Sequence, residues 1–209
     1  GEGGFPDHFN EMLRYVDKCD SGDLTAEEIM NPEGWVLLSF IMDPRTGLGR
    51  YRDYRISNYQ LMEQMIEWCG SMHAEAILTQ PDVQERVTRY FEQDALFRDM
   101  IQKNGTVRGN VFVLDLRNEP EIFAGNRFVL YTMYPDCNVS IQVIWGREKK
   151  NVVFTCGHSI INRTSNTNVG SLMLKYGGGG HKKVGTCQAP IDRAEQVLER
   201  LVEEMNEDG

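Results

Sequence analysis

Four consecutive glycines, Gly177 to Gly180, interrupt a chain whose surroundings read as regular structure. Each glycine costs roughly 0.5–1 kcal/mol relative to alanine inside a helix or strand, so the run needs a left-handed backbone or the close approach of another group. It follows a stretch in which Val169, Leu172, Met173 and Tyr176 recur at helical spacing, which puts the glycines just past a helix C-terminus. Amides exposed there can form an anion-binding nest, and His181, Lys182 and Lys183 add donors and positive charge. A turn with a purely structural role is the other reading of the same residues. The phosphate loop of nucleoside triphosphatases is not matched, because neither lysine directly follows a glycine or precedes Ser or Thr.

Charge is unevenly spread along a chain whose formal net charge is −9. From Asn138 to Ala189 there are seven basic residues against one acid, Glu148. From Pro190 to Gly209 the balance reverses to two basic and seven acidic residues. Positive charge therefore gathers around the glycines, which favours an anionic ligand there, while the overall charge argues against broad nonspecific nucleic-acid binding.

The 209 residues are 41% hydrophobic, enough for one large or two small globular domains. No apolar run approaches the roughly 20 residues a membrane-spanning helix needs, and no signal peptide precedes the fold, so a cytoplasmic protein is expected. Five cysteines at wide spacing, without a C-x-x-C pair, fit free thiols rather than a disulfide framework. Cys156, His158, His181 and Cys187 match no usual zinc spacing.

Helical periodicity over residues 5–17 ends in a turn-rich segment, Asp17 to Asp23, and Thr25 to Glu28 has the form of a capping box opening a second helix. The apolar run from Trp35 to Met42 stops before Asp43-Pro44. Residues 45–55 carry four arginines, which either line an anion site or make surface ion pairs. Helices are expected over 57–70 and, after Pro81, through Lys103. Beyond Gly105 the period changes: Val111 to Leu116, Val139 to Trp145 and Asn151 to Ile160 read as strands. Helices are expected over 125–134, 168–176 and in the amphipathic C-terminal stretch, which gives an α/β domain with a small mixed sheet.

Three groups of residues, Asn162-Arg163-Thr164-Ser165, Asn168-Val169-Gly170-Ser171 and Gly177 to His181 with Val184-Gly185, resemble the substrate-binding domain associated with DHH phosphoesterases. The resemblance covers essentially the whole chain and looks nearest to exopolyphosphatase-related proteins and nanoRNases. It implies a helical remnant of the DHH catalytic domain over 1–80, a connector helix over 81–105, and the substrate-binding domain over 106–209. It implies that Arg163, Ser165, Asn168, Gly177, Gly178, Gly179, Gly180, His181 and Gly185 bind substrate, with Arg163 as a planar fork on a phosphate and His181 as donor or stacking partner. It also implies two manganese ions that activate water and stabilise in-line displacement at phosphorus.

The sequence departs from that pattern at the metal site. It contains no Asp-His-His triplet, since Asp7-His8 is followed by Phe9, and no Asp-x-Asp after an early strand. Asp20, before Ser21-Gly22, best matches the last metal-binding aspartate, although a turn-forming role suits it equally. One carboxylate does not hold two metals, so the chain alone is expected to be inactive, and a parent about 100 residues longer is expected from the missing part of an ordinary domain. The leading expectation is thus the substrate-binding portion of a manganese-dependent phosphoesterase acting on short single-stranded nucleic acid, nucleotides or polyphosphate. A freestanding nucleic-acid- or nucleotide-binding module is the alternative, since a related domain ends alanyl-tRNA synthetases. A homodimer using the apolar faces of the connector and final helices is a third.

Overall fold

A computed structural model describes residues 7–209, which fall into two compact units. The residues up to Phe97, with Phe123–Val129, form one; Arg98–Ile122 with Leu130–Gly209 form the other. No helix among the described residues is long and apolar enough to cross a membrane.

The first unit is helical: α1 (Asp7–Ser21), α2 (Ala26–Met30), α3 (Gly34–Met42), α4 (Asn58–Ser71), α5 (Ala74–Leu78) and the first part of α6 (Pro81–Asn104). α3 is its centre, with Trp35, Val36, Leu37, Leu38, Phe40 and Ile41 all buried, as a helix apolar on every side must be. Two capping boxes start helices of this unit, Thr25 with Glu28 on α2 and Ser57 with Gln60 on α4. Helix α1 runs further than its periodicity predicts. The expected turn from Asp17 is helical through Ser21, and the chain leaves only at Gly22, whose φ of 66° lies in the left-handed region. There the amides of Gly22 and Asp23 donate to Cys19 O (3.2 Å) and Lys18 O (2.9 Å), the paired bonds of a Schellman cap.

The arginine-rich segment is held by ion pairs and hydrogen bonds within the unit. Arg45 pairs with Asp43 (2.8 Å), Arg55 with Asp82 (3.3 Å), and Arg50 Nε donates to Gly47 O (3.2 Å). From α6, Arg89 grips Asp53 with its two terminal guanidinium nitrogens, at 2.8 and 2.6 Å. Arg86, 1% exposed, donates to Ile56 O (2.7 Å) and Asp82 O (2.9 Å) and lies 3.9 Å from the Tyr54 ring centre.

The second unit is built on a six-stranded sheet ordered β1-β2-β3-β4-β6-β5, with strands Gly105–Arg108, Val111–Asp115, Val139–Trp145, Val152–His158, Gly179–His181 (β5) and Val184–Ala189 (β6). Only β2 and β3 pair in parallel; the other neighbours are antiparallel. The core joins strand residues such as Val111, Ile141, Phe154 and Cys187 to Leu172 and Met173 of α8 (Val169–Lys175) and to Leu198, Leu201 and Met205 of α9 (Ala194–Asp208).

Two expectations change here. The predicted helix over 125–134 shrinks to α7 (Val129–Met133). Asn126 turns the chain instead, its side chain accepting from Phe128 N (3.0 Å), and Gly125 N donates to Thr46 O (3.0 Å). The glycine run does not stay irregular after α8 either: its second half becomes the edge strand β5.

Candidate anion-binding hairpin

The glycines have separate reasons to be glycines. Gly177 closes α8 at φ 75°, and the amides of Gly177 and Gly178 donate to Leu174 O (3.1 Å) and Met173 O (2.9 Å). These two amides therefore complete a Schellman cap, and the expected nest of free amides at this point is not formed. A Cβ on Gly178 would lie 2.1 Å from Thr186 O, and one on Gly180 2.3 Å from Val184 O. Gly170 and Gly185 are equally confined: a Cβ would meet Gly180 O at 2.8 Å in the first case and Gly179 O at 2.8 Å in the second. Such packing, strand on strand within the hairpin and helix backbone on hairpin backbone at Gly170, admits no side chain. Gly179 differs, because a Cβ there would meet nothing within 4 Å and its φ is not in the left-handed region. The fold does not require this glycine.

β5 and β6 are joined by the two-residue turn Lys182-Lys183, with His181 opposite Val184. The turn's carbonyls point into the unit: Lys182 O accepts from Val169 N and Lys183 O from His158 N, both at 2.9 Å. His181, Lys182 and Lys183 are exposed. Among the described residues neither lysine is in an ion pair, whereas Lys175 is bound by Glu204 of α9, and Lys150 by Glu148. The acidic C-terminal helix thus neutralises part of the basic region and leaves the hairpin turn positive.

The remaining predicted residues lie on 159–168 and around it. Asn168 caps α8, its side-chain oxygen accepting from Ser171 N at 3.1 Å. Ser165 Oγ accepts from Thr167 N (3.4 Å), so both polar side chains already serve the local chain. Arg163 is exposed, with Nε donating to Ile160 O at 3.0 Å. The Val169–Lys182 bond and the Gly170–Gly180 contact bring Asn168 to the hairpin.

Sequence reasoning weighed His158 only as a zinc ligand and missed its place beside the hairpin. Its ring Nε2 hydrogen-bonds Thr167 O at 2.8 Å. Burial, then the nearby Lys183 and Lys182, push its pKa below the ordinary value, although the Thr167 bond works the other way. The signal was present in the alternation of β4, where Val152, Phe154 and Cys156 are buried and His158 continues the same side of the strand.

Asp20 belongs to the helical unit, exposed on the last turn of α1. It lines a cavity of about 350 Å³ with Cys19, Tyr15, Trp35, Asp43 and Arg45 among others. DHH phosphoesterases are generally metal-dependent, but no three His, Cys, Asp or Glu side chains converge among the described residues. Asp43, the other acid of the cavity, is engaged by Arg45, which outweighs partial burial and holds its carboxyl below the usual range. The described residues do not fit a two-metal centre. The five cysteines are free; burial pushes Cys187 up to about 11 and Cys156 further, so neither offers a thiolate.

The second unit is thus an α/β domain with a positively charged, glycine-built hairpin at its sheet edge, and the chain belongs to the DHH phosphoesterase family. A pGpG-specific phosphodiesterase, PggH from Vibrio cholerae, is similar to it over 98% of this chain and 69% of its own, with 49% identity and a TM-score of 0.91. An exopolyphosphatase-related protein from Bacteroides fragilis aligns over 71% of this chain and 43% of its own, at 13% identity and TM-score 0.46. The DHH domain of a protein assigned to a ribosomal-protein family aligns over 93% of this chain and 45% of its own, at 14% identity and TM-score 0.47. The family assignment rests on the first of these. No protein-family model matches the chain, and no curated protein matches it.

Proposed function

We propose that this chain is the substrate-binding portion of a manganese-dependent phosphodiesterase that acts on short 5′-phosphorylated oligonucleotides, of which pGpG is the reference case. Gly179 carries this reading. It is the one glycine of the run that packing and backbone conformation leave unexplained, and it stands beside the exposed His181, Lys182 and Lys183. A smooth edge of backbone next to exposed cations suits a phosphate that approaches closely. The 49%-identical relative, described as specific for pGpG, supports the choice of ligand. Arg163 would supply a planar, two-pronged contact to a phosphate, and His181 a donor or a stacking face. Manganese belongs to the complete enzyme. Since the described residues do not assemble its site, the chain alone binds without hydrolysing.

The test is a fluorescence-anisotropy titration of this chain with labelled pGpG and with the same dinucleotide lacking the 5′-phosphate, each at two salt concentrations. Saturable binding that needs the phosphate and weakens with salt is expected, because neutralising phosphate releases counterions. Equal behaviour of the two ligands would overturn the reading. Manganese-dependent hydrolysis of pGpG by this chain alone would overturn the division of labour.

A further inference from the structure

We propose that His158 is a positioning residue for anion binding, a single side chain and amide that lock the Arg163–Asn168 segment to the Lys182–Lys183 turn; this rests on the function proposed above. Two arms of the chain carry the residues assigned to the ligand. One is the irregular segment 159–168 with Arg163, and the other is the glycine hairpin. His158, the last residue of β4, touches both. Its amide donates to Lys183 O (2.9 Å), and its ring donates to Thr167 O (2.8 Å).

Several other fastenings of the segment lead elsewhere. Ser159 Oγ accepts from the amides of Ile161 (3.1 Å) and Asn162 (2.9 Å), and Asn138 Nδ2 donates to Thr164 Oγ1 (3.0 Å). Asn166 N donates to Gly209 O at 3.1 Å. None of these reaches the hairpin. The bond from Val169 N to Lys182 O fastens the Asn168 end of the segment to the turn, and the His158 ring ties the chain one residue earlier, at Thr167. Thr167 is fully buried, so the carbonyl the ring engages sits where a lost donor is not readily replaced by water. The neutral ring favoured by its surroundings also adds no charge to the turn, which leaves the two lysines to the ligand.

The experiment compares wild type, His158→Ala and His158→Gln by melting temperature, by pGpG affinity well below every melting temperature, and by amide hydrogen exchange. The glutamine amide can donate from about the position of Nε2, so the two variants differ in that bond. His158→Ala is expected to weaken pGpG binding about tenfold, the size of one buried hydrogen bond, and His158→Gln to restore most of it. Exchange in His158→Ala should rise together in 165–168 and 181–184 while the β2 and β3 amides stay protected. A melting temperature lowered with unchanged pGpG affinity would reduce His158 to a structural residue and overturn the inference. Wild-type protein indifferent to the 5′-phosphate would overturn the function instead. The exchange pattern then decides the coupling by itself, and loosening confined to one arm would refute it.

Discussion

Helices α1 and α8 end in the same way, each with a left-handed glycine and a pair of amide bonds back to the last turn, at Gly22 and at Gly177. The chain then takes two different courses. After Gly22 it passes through Asp23 and Leu24 into the capping box of α2, and the nearby Asp20 stands without convergent metal ligands among the described residues. After Gly177 it leads into an edge strand paired so closely with β6 that Gly178 and Gly180 admit no Cβ. A helix cap alone is therefore not evidence of a binding site. The second end is marked by the one position of the run that neither close packing nor backbone conformation explains, Gly179, beside the exposed Lys182 and Lys183.

The contrast can be broken most sharply at Gly178. A methyl there would sit 2.1 Å from a backbone oxygen, so Gly178→Ala should cost about 3 kcal/mol, in the overpacking range, read as a lowered denaturant midpoint of the second unit. A change under about 0.5 kcal/mol, the size of an ordinary surface substitution, would show that the hairpin is not packed as described.

A smaller effect is expected from acid. Folded His158 holds its proton less tightly than the unfolded residue, whose ordinary value is 6.5. As pH falls below that value, the unfolded state takes up the proton first, and stability drops until the lower folded value is passed. Thermal melts of wild type and His158→Gln between about pH 7 and 5 should differ in slope, with the wild type losing more. Parallel slopes would contradict the neutral, partly buried ring.

The smallest change is predicted for Asp20→Asn. An acid on the last turn of α1 opposes the helix dipole, so its removal should stabilise the helical unit by a few tenths of a kcal/mol, about 0.5 at most, and leave pGpG affinity unaltered. Weakened binding in this variant would draw Asp20 into the binding site and erase the contrast.

Much of the architecture was legible wherever side chains carried the pattern. The bounds of β3 coincide with the apolar run from Val139 to Trp145, and the capping box at Thr25 and the helical run expected from Ser57 mark true helix starts. Strand β5 was not legible, since Gly-Gly-His has no strand propensity and is held by pairing with β6 and by the close approach of Gly170. The helix over 125–134 was overextended because Asn126 and Phe128 read as ordinary helix positions, while the Asn126 side chain in fact turns the backbone. At the hairpin, the sequence located the glycines and cations but not their hydrogen bonds. The free amides imagined at Gly177 and Gly178 are used by the helix cap, and the link through His158 depends on Thr167, nine positions away and recognisable only in three dimensions.

The most direct measurement is the pair of stability and pGpG affinity for Gly179→Ala. A methyl at this position meets no atom within 4 Å, so stability should hold or rise by about 0.5 kcal/mol as unfolded-chain entropy falls, while phosphate-dependent binding weakens by about tenfold. Unchanged affinity together with unchanged stability would mean that nothing approaches this glycine, and the hairpin would be a structural turn rather than an anion site.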